Sequence, residues 1–113
     1  MKTDLSYLIE LSDGNKELIT EMVEIFYLQV EEFVKDMDTH LANENWKALG
    51  QVAHKAKSSV SIMGMHDLAK DLKKMEQLSK QEKEKNKYPS IIKKFKSDCK
   101  IAIEELKNYI DNN

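Results

Sequence analysis

Apolar positions along the chain recur at three- and four-residue steps, a spacing that predicts helix almost throughout. Leu5, Leu8, Ile9 and Leu11 predict a short opening helix over 4–11. Ser12-Asp13-Gly14 breaks it, and Asn15 has the side chain to cap a second helix. Over 16–41, Leu18, Met22, Ile25, Phe26, Phe33 and Met37 form a stripe that Ile19, Val23, Val30 and Val34 widen. That is the pattern of a long amphipathic helix with one buried face. Asn43-Glu44-Asn45 interrupts it, and Asn45 suits another cap. A third helix, 46–63, steps through Trp46, Leu49, Ala53, Ala56, Val60 and Met63, with Gly64 placed to end it in a left-handed conformation. A fourth, 65–82, carries Met65, Leu68, Ala69, Leu72, Met75 and Leu78. Pro89 fits the first turn of a last helix, 89–111, where its missing N–H would go unpaired anyway. Ile92, Phe95, Cys99, Ala102, Leu106 and Ile110 form that helix's seam.

No segment shows the two-residue alternation of a strand. The expected fold is all-α: an up-down-up-down antiparallel four-helix bundle, with the short N-terminal helix capping one end. A chain of 113 residues forms one domain, spanning 1–113, and is too short for two. Three glycines and one proline agree with long helices, since sheet proteins spend many such residues on turns.

Charge narrows the function. Eighteen basic residues against twenty acidic ones leave a net charge of -2 and no basic excess, so nucleic-acid binding is not expected. Cys99 is alone, which rules out an intramolecular disulfide and suits a reducing cytosol. No stretch reads as a signal peptide or a membrane span, so direct membrane insertion is not expected. The methionines fall mostly on seams and read as core. The charged run from Lys80 to Lys87 reads as a solvated helix end and loop.

The third helix carries a second stripe. Lys47, Gly50, Gln51, His54, Lys57, Ser58 and Ser61 share a face apart from the apolar seam. Around the histidine this face is small. Gly50 in mid-helix costs about 1 kcal/mol against alanine, and bare backbone there would let another protein come close to one imidazole. A neutral imidazole is a good nucleophile near neutrality. Attack on an acyl phosphate would give a phosphohistidine. Lys57, one turn on, is a mobile cation able to offset phosphoryl charge, and the Ser58 hydroxyl can donate to a phosphoryl oxygen or the ring. Spacing alone also fits an ordinary solvated face.

The segment Ala53-His54-Lys55-Ala56-Lys57-Ser58-Ser59, followed by Ile62-Met63-Gly64-Met65, resembles the signature of histidine-containing phosphotransfer (HPt) domains. That signature is a His, a Lys three residues later, a small residue next, and a Gly ten residues after the His. The flanks are similar too. Tyr7-Leu8, Ser12-Asp13-Gly14-Asn15 and Phe26-Tyr27-Leu28-Gln29 resemble the opening of HPt domains at the C-terminal end of hybrid sensor kinases. Asn45-Trp46 resembles the pair that opens the His-bearing helix, and Leu68, Leu72 and Glu76 fall where the family's next helix packs. The likeness covers about residues 5 to 80; the last helix matches only in length and amphipathicity.

The resemblance implies that His54 accepts the phosphoryl group and that Lys57 stabilises the phosphate; Ser58, read from its hydroxyl and not from the family, is a further candidate for that role. Ser58 stands where many members have Gly. Gly50, Gln51 and Ser61 would dock partners, together with the apolar Leu8, Leu11, Ile19 and Met22, each of which fits the core equally well. By the same resemblance Glu76 would face His54 across two helices, although an ordinary surface glutamate fits its position nearly as well. Partners would be receiver domains of response regulators or of a hybrid histidine kinase, and Mg²⁺ would sit in the receiver, leaving this chain without a cofactor. The expected molecule is a monomeric, cytoplasmic carrier, or the cytosolic part of a membrane-bound hybrid kinase. It is not expected to be an enzyme, because no nucleotide-binding segment is present.

Two other readings belong to different classes. One is a helical adaptor, a degenerate HPt domain that binds a signalling partner without carrying phosphate. The other is a metal-binding bundle. His40, near a helix C-terminus, and His66, in a first turn, lack the His-x-x-x-His or Glu-x-x-His spacing that such a site needs, so no metal is expected.

Overall fold

The computed structural model describes residues 1–112. Five α-helices run in order: α1 Ser6–Ser12, α2 Lys16–Ala42, α3 Trp46–Ile62, α4 His66–Lys80 and α5 Tyr88–Asn112, with one 3₁₀ turn, Lys85–Lys87, before the last. The four long helices form a bundle in which α2 packs against α3 and α5, and α4 against α3 and α5. The short α1 packs on α2. There is no strand among the described residues.

The caps explain the boundaries. The Asn15 side chain accepts the Leu18 N–H, and the Asn45 side chain accepts the Ala48 N–H, each satisfying an unpaired donor of a first turn. Ser12 does not break α1 but belongs to it. Its hydroxyl donates back to the Leu8 and Ile9 carbonyls, and the chain turns at Asp13 and Gly14, both at positive φ. At the far end Glu82 and Glu84 take positive φ, so α4 stops at Lys80 rather than running to 82.

Residues 1–5 form a strap rather than the first turn of a helix. The Glu105 carboxylate of α5 accepts the backbone N–H groups of Lys2 and Thr3 and the Thr3 hydroxyl. Asp4 N–H donates to Met63 O at 3.1 Å, in the turn between α3 and α4. Gly64 makes that turn possible twice over. Its φ of +73° is left-handed, and a Cβ there would strike the Asp4 backbone.

The core runs the length of the bundle, with Phe26, Met37, Leu49, Leu68, Leu72, Met75, Tyr88, Phe95, Cys99 and Leu106 buried. The wide apolar stripe of α2 divides. Ile19, Val23, Phe26, Val30, Phe33 and Met37 face inward, while Leu18 and Ile25 lie outside, the latter 55% exposed. A helix touching its neighbours along one seam buries only part of a broad stripe. Trp46 is half-buried against the Tyr88 ring, with the Lys85 ammonium over its face. Asp71 pairs with Lys94 of α5 and not with the lysines of its own helix.

Candidate functional site

On α3, Leu49, Val52, Ala53, Ala56 and Val60 turn into the core. Their helical period sends His54 outward, and its side chain is 61% exposed. Across the interface, α4 brings Glu76 to it. His54 Nδ1 lies 3.0 Å from Glu76 Oε2, and the glutamate side chain is only 10% exposed. Two lysines complete the group. Lys57 Nζ stands 3.5 Å from Glu76 Oε1, and Lys80 Nζ 3.2 Å from Oε2. One nearly buried carboxylate therefore gathers an imidazole and two ammonium groups.

Burial pushes the Glu76 carboxyl up, but hydrogen bonds from His54 and Lys80, with the charges of His54 and Lys57, outweigh it. The net direction is below the ordinary carboxylate range, so Glu76 is ionised near neutrality. An ionised carboxylate only accepts hydrogen bonds, so the Nδ1 facing it carries the proton. In the neutral ring this leaves the Nε2 lone pair open, a tautomer set by the partner of the other nitrogen.

The close approach of α3 and α4 has a specific source. A Cβ on Gly50 would stand 2.6 Å from Ser79 Oγ and 3.5 Å from the Glu76 carbonyl. Gly50 lies one turn before His54, and Ser79 lies one turn after Glu76. Gly50 is therefore buried against α4 and does not belong to a docking face. Leu8 and Ile19, which the sequence fits to a docking surface and to the core equally well, are core residues at 0% and 2% exposure. Helix α1 folds Leu8 down onto the bundle end, and Ile19 lies on the inward stripe of α2.

The remaining expected residues spread around the histidine. Gln51 and Ser58 are exposed, Met22 is half-buried and Leu11 is 49% exposed. Ser61 is half-buried and donates to the Lys57 carbonyl at 2.7 Å, which ties it to its own helix. A groove of about 430 Å³ between α2 and α3 is lined by His54, Ser58, Gln29, Glu32, Phe33 and Asp36, among others. A second groove, about 220 Å³, continues along the same two helices past Met22, Ile25 and Ile62. Lys80 was legible only as one end of a charged run. The Glu76-Lys80 spacing of four is the sign that sets it apart from its neighbours.

No group of three or more His, Cys, Asp or Glu side chains among the described residues is placed to hold a metal ion. No described helix is long and apolar enough to cross a membrane.

Comparison with known proteins agrees with the bundle. The crystal structure of histidine-containing phosphotransfer protein B (HptB) from Pseudomonas aeruginosa PAO1 matches with a TM-score of 0.87, over 99% of this chain and 96% of that one. At 23% sequence identity this likeness is one of fold. No curated protein matches the sequence. The family model described as Hpt domain matches residues 21–112. That span takes in α3 and α4, the two helices that hold the imidazole and its carboxylate, and the chain accordingly belongs to the Hpt domain family of phosphotransfer carriers.

Proposed function

We propose that this chain accepts a phosphoryl group on His54 from a receiver-domain phosphoaspartate and hands it to another receiver. The observation that carries this reading is an exposed imidazole gripped at Nδ1 by a nearly buried, ionised Glu76. The Nε2 lone pair attacks phosphorus and forms the N–P bond. The aspartyl O–P bond breaks, and its electron pair leaves with the carboxylate. The Nδ1 proton stays in place, so the ring becomes a cation, and Glu76 stabilises that charge as it develops. The reverse step returns the phosphoryl group, because both linkages are energy-rich.

Lys57 offsets charge on the phosphoryl oxygens, and the exposed Ser58 lines the groove that His54 borders. The HptB likeness and family membership favour this role. Gln51, Ser58, Leu11 and Met22 provide contacts for a receiver that binds briefly and releases fast. Magnesium belongs to the receiver's acidic site, and the carrier works as a cytoplasmic monomer with no catalytic activity of its own.

The test is transfer from a phosphorylated receiver of the same genome. Wild type should gain acid-labile, base-stable label, and His54→Gln should gain none. Equal labelling of the two proteins would reject His54 as acceptor. Receiver binding without transfer, unchanged in His54→Ala, would mark the protein as an adaptor instead.

A further inference from the structure

Glu76 has more partners than the tautomer of His54 requires. One ammonium approaches each carboxylate oxygen: Lys57 from α3 at Oε1, and Lys80 from α4 at Oε2. Lys80 shares its oxygen with His54 Nδ1, so it lies one side-chain swing from the imidazole. Its side chain is 66% exposed and that of Lys57 is 28% exposed, so the α4 lysine is the freer to move. A phosphoryl group on Nε2 would bring close to two negative charges to a site where the carboxylate carries one.

We propose that Lys57 and Lys80 are a shared pair of cations that Glu76 holds while His54 is bare and that move to the phosphoryl group once it arrives. This inference rests on His54 as the acceptor and extends it to a residue of α4. Glu76 then acts in opposite senses in the two states. Before transfer it orients the ring and keeps two ammonium groups beside it. After transfer it competes with the phosphoryl oxygens for those same groups, which limits how tightly the charge is held and keeps the phosphoryl group available for onward transfer. Lys80 is thus a phosphate-stabilising residue in the phosphorylated state only.

The test needs no receiver. Phosphoramidate labels an accessible histidine directly: its N–P bond breaks, ammonia leaves and the Nε2–P bond forms. The readout is the second ionisation of the phosphoryl group, followed by ³¹P NMR titration, because a cation in contact favours the dianion. Lys80→Met, which keeps the apolar stem, should raise that pKa by about half a unit, the size expected of an exposed charge contact. The same substitution made in Glu76→Gln should produce a larger rise, since the competitor for Lys80 is gone. Glu32 and Asp36, which face the same groove from α2, and Lys55 beside His54 are common to every variant and cancel.

No change in Lys80→Met would overturn the proposal, as would an effect of Lys80 that is equal or smaller in the Glu76→Gln background. The second result would mean that Glu76 merely positions the lysine. Lys80 is exposed, so its substitution leaves the fold intact even if Glu76→Gln weakens it. Failure of receiver transfer with successful phosphoramidate labelling would count against the carrier reading and leave the cation exchange to be judged on its own titration.

Discussion

Gly50 and Ser79 touch so closely that a single added methyl at residue 50 would stand 2.6 Å from the serine hydroxyl. The two residues sit one turn from His54 and Glu76 respectively, so this contact sets the spacing of α3 and α4 where the imidazole meets the carboxylate. Helix propensity favours alanine at position 50 by about 1 kcal/mol. The collision opposes that gain, and Ser79 is buried with its hydroxyl donated to the Glu76 carbonyl.

Gly50→Ala should therefore destabilise the protein by about 1 to 2 kcal/mol, the usual cost of overpacking, and lengthen the His54–Glu76 hydrogen bond. Adding Ser79→Ala removes the obstructing oxygen and should recover most of the loss. Urea denaturation of the single and double variants checks this. A double variant no more stable than Gly50→Ala would show that the contact is not what separates the helices.

Substitution of Glu76 should slow phosphoryl acceptance in a graded way. Glutamine keeps an acceptor for Nδ1–H but loses the charge that balances the developing imidazolium. Leucine loses both, and the expected slowing is about tenfold to a hundredfold, the range for a reacting group released from its orientation. Initial rates of labelling from a phosphorylated receiver measure it, with binding to the receiver monitored separately. Leucine and glutamine variants with equal rates would contradict the hydrogen-bond role.

Acid should weaken the fold through two carboxylates. Burial pushes Glu76 up, yet its hydrogen bonds and neighbouring cations bring it below the usual value of 4.5. Glu105 obeys the same logic, with burial outweighed by donors from Lys2 and Thr3 in the strap. A carboxylate held low in the folded state contributes stability above its unfolded pKa and loses it as pH falls through the folded one. The contribution of these two carboxylates should be constant above about pH 5 and be lost below about 4.5. Glu105→Gln should be weaker than wild type at pH 7 and lose less on going to pH 3. Chemical denaturation at the two pH values gives the comparison; an identical loss in both proteins would exclude Glu105 as a contributor.

Cys99 should be inert while the protein is folded. It is fully buried, and desolvation with the nearby Asp98 charge pushes its thiol up to about 12. Reaction rests on thiolate and access. Alkylation at pH 8 should then proceed only as fast as the protein opens, and should speed up as denaturant is added. Rapid modification of the native protein would contradict the buried position.

The core should show its weight at Phe95, which is completely buried on α5. Phe95→Ala should cost about 3 to 5 kcal/mol. Leu28→Ala, at a position 62% exposed, should change stability by less than about 0.5 kcal/mol. Thermal or urea unfolding of the pair distinguishes the inward from the outward face of α2 and α5.

Periodicity alone determined that this chain is a helical bundle, because each helix must bury its apolar seam and the caps at Asn15 and Asn45 act within a single turn. It also placed His54 and Lys57 on a polar face of one helix, since that relation is local. What α4 contributes is not local. The pairing of His54 with Glu76 spans 22 residues, and the direction in which Lys80 points depends on where α4 lies against α3. Tertiary structure also decided which half of the broad apolar stripe of α2 is covered, sending Ile19 inward and leaving Ile25 outside, and it buried Leu8 of α1. It turned Gly50 from an opening toward solvent into the point where two helices meet, because a missing side chain admits either a partner protein or a neighbouring helix, and only packing chooses between them.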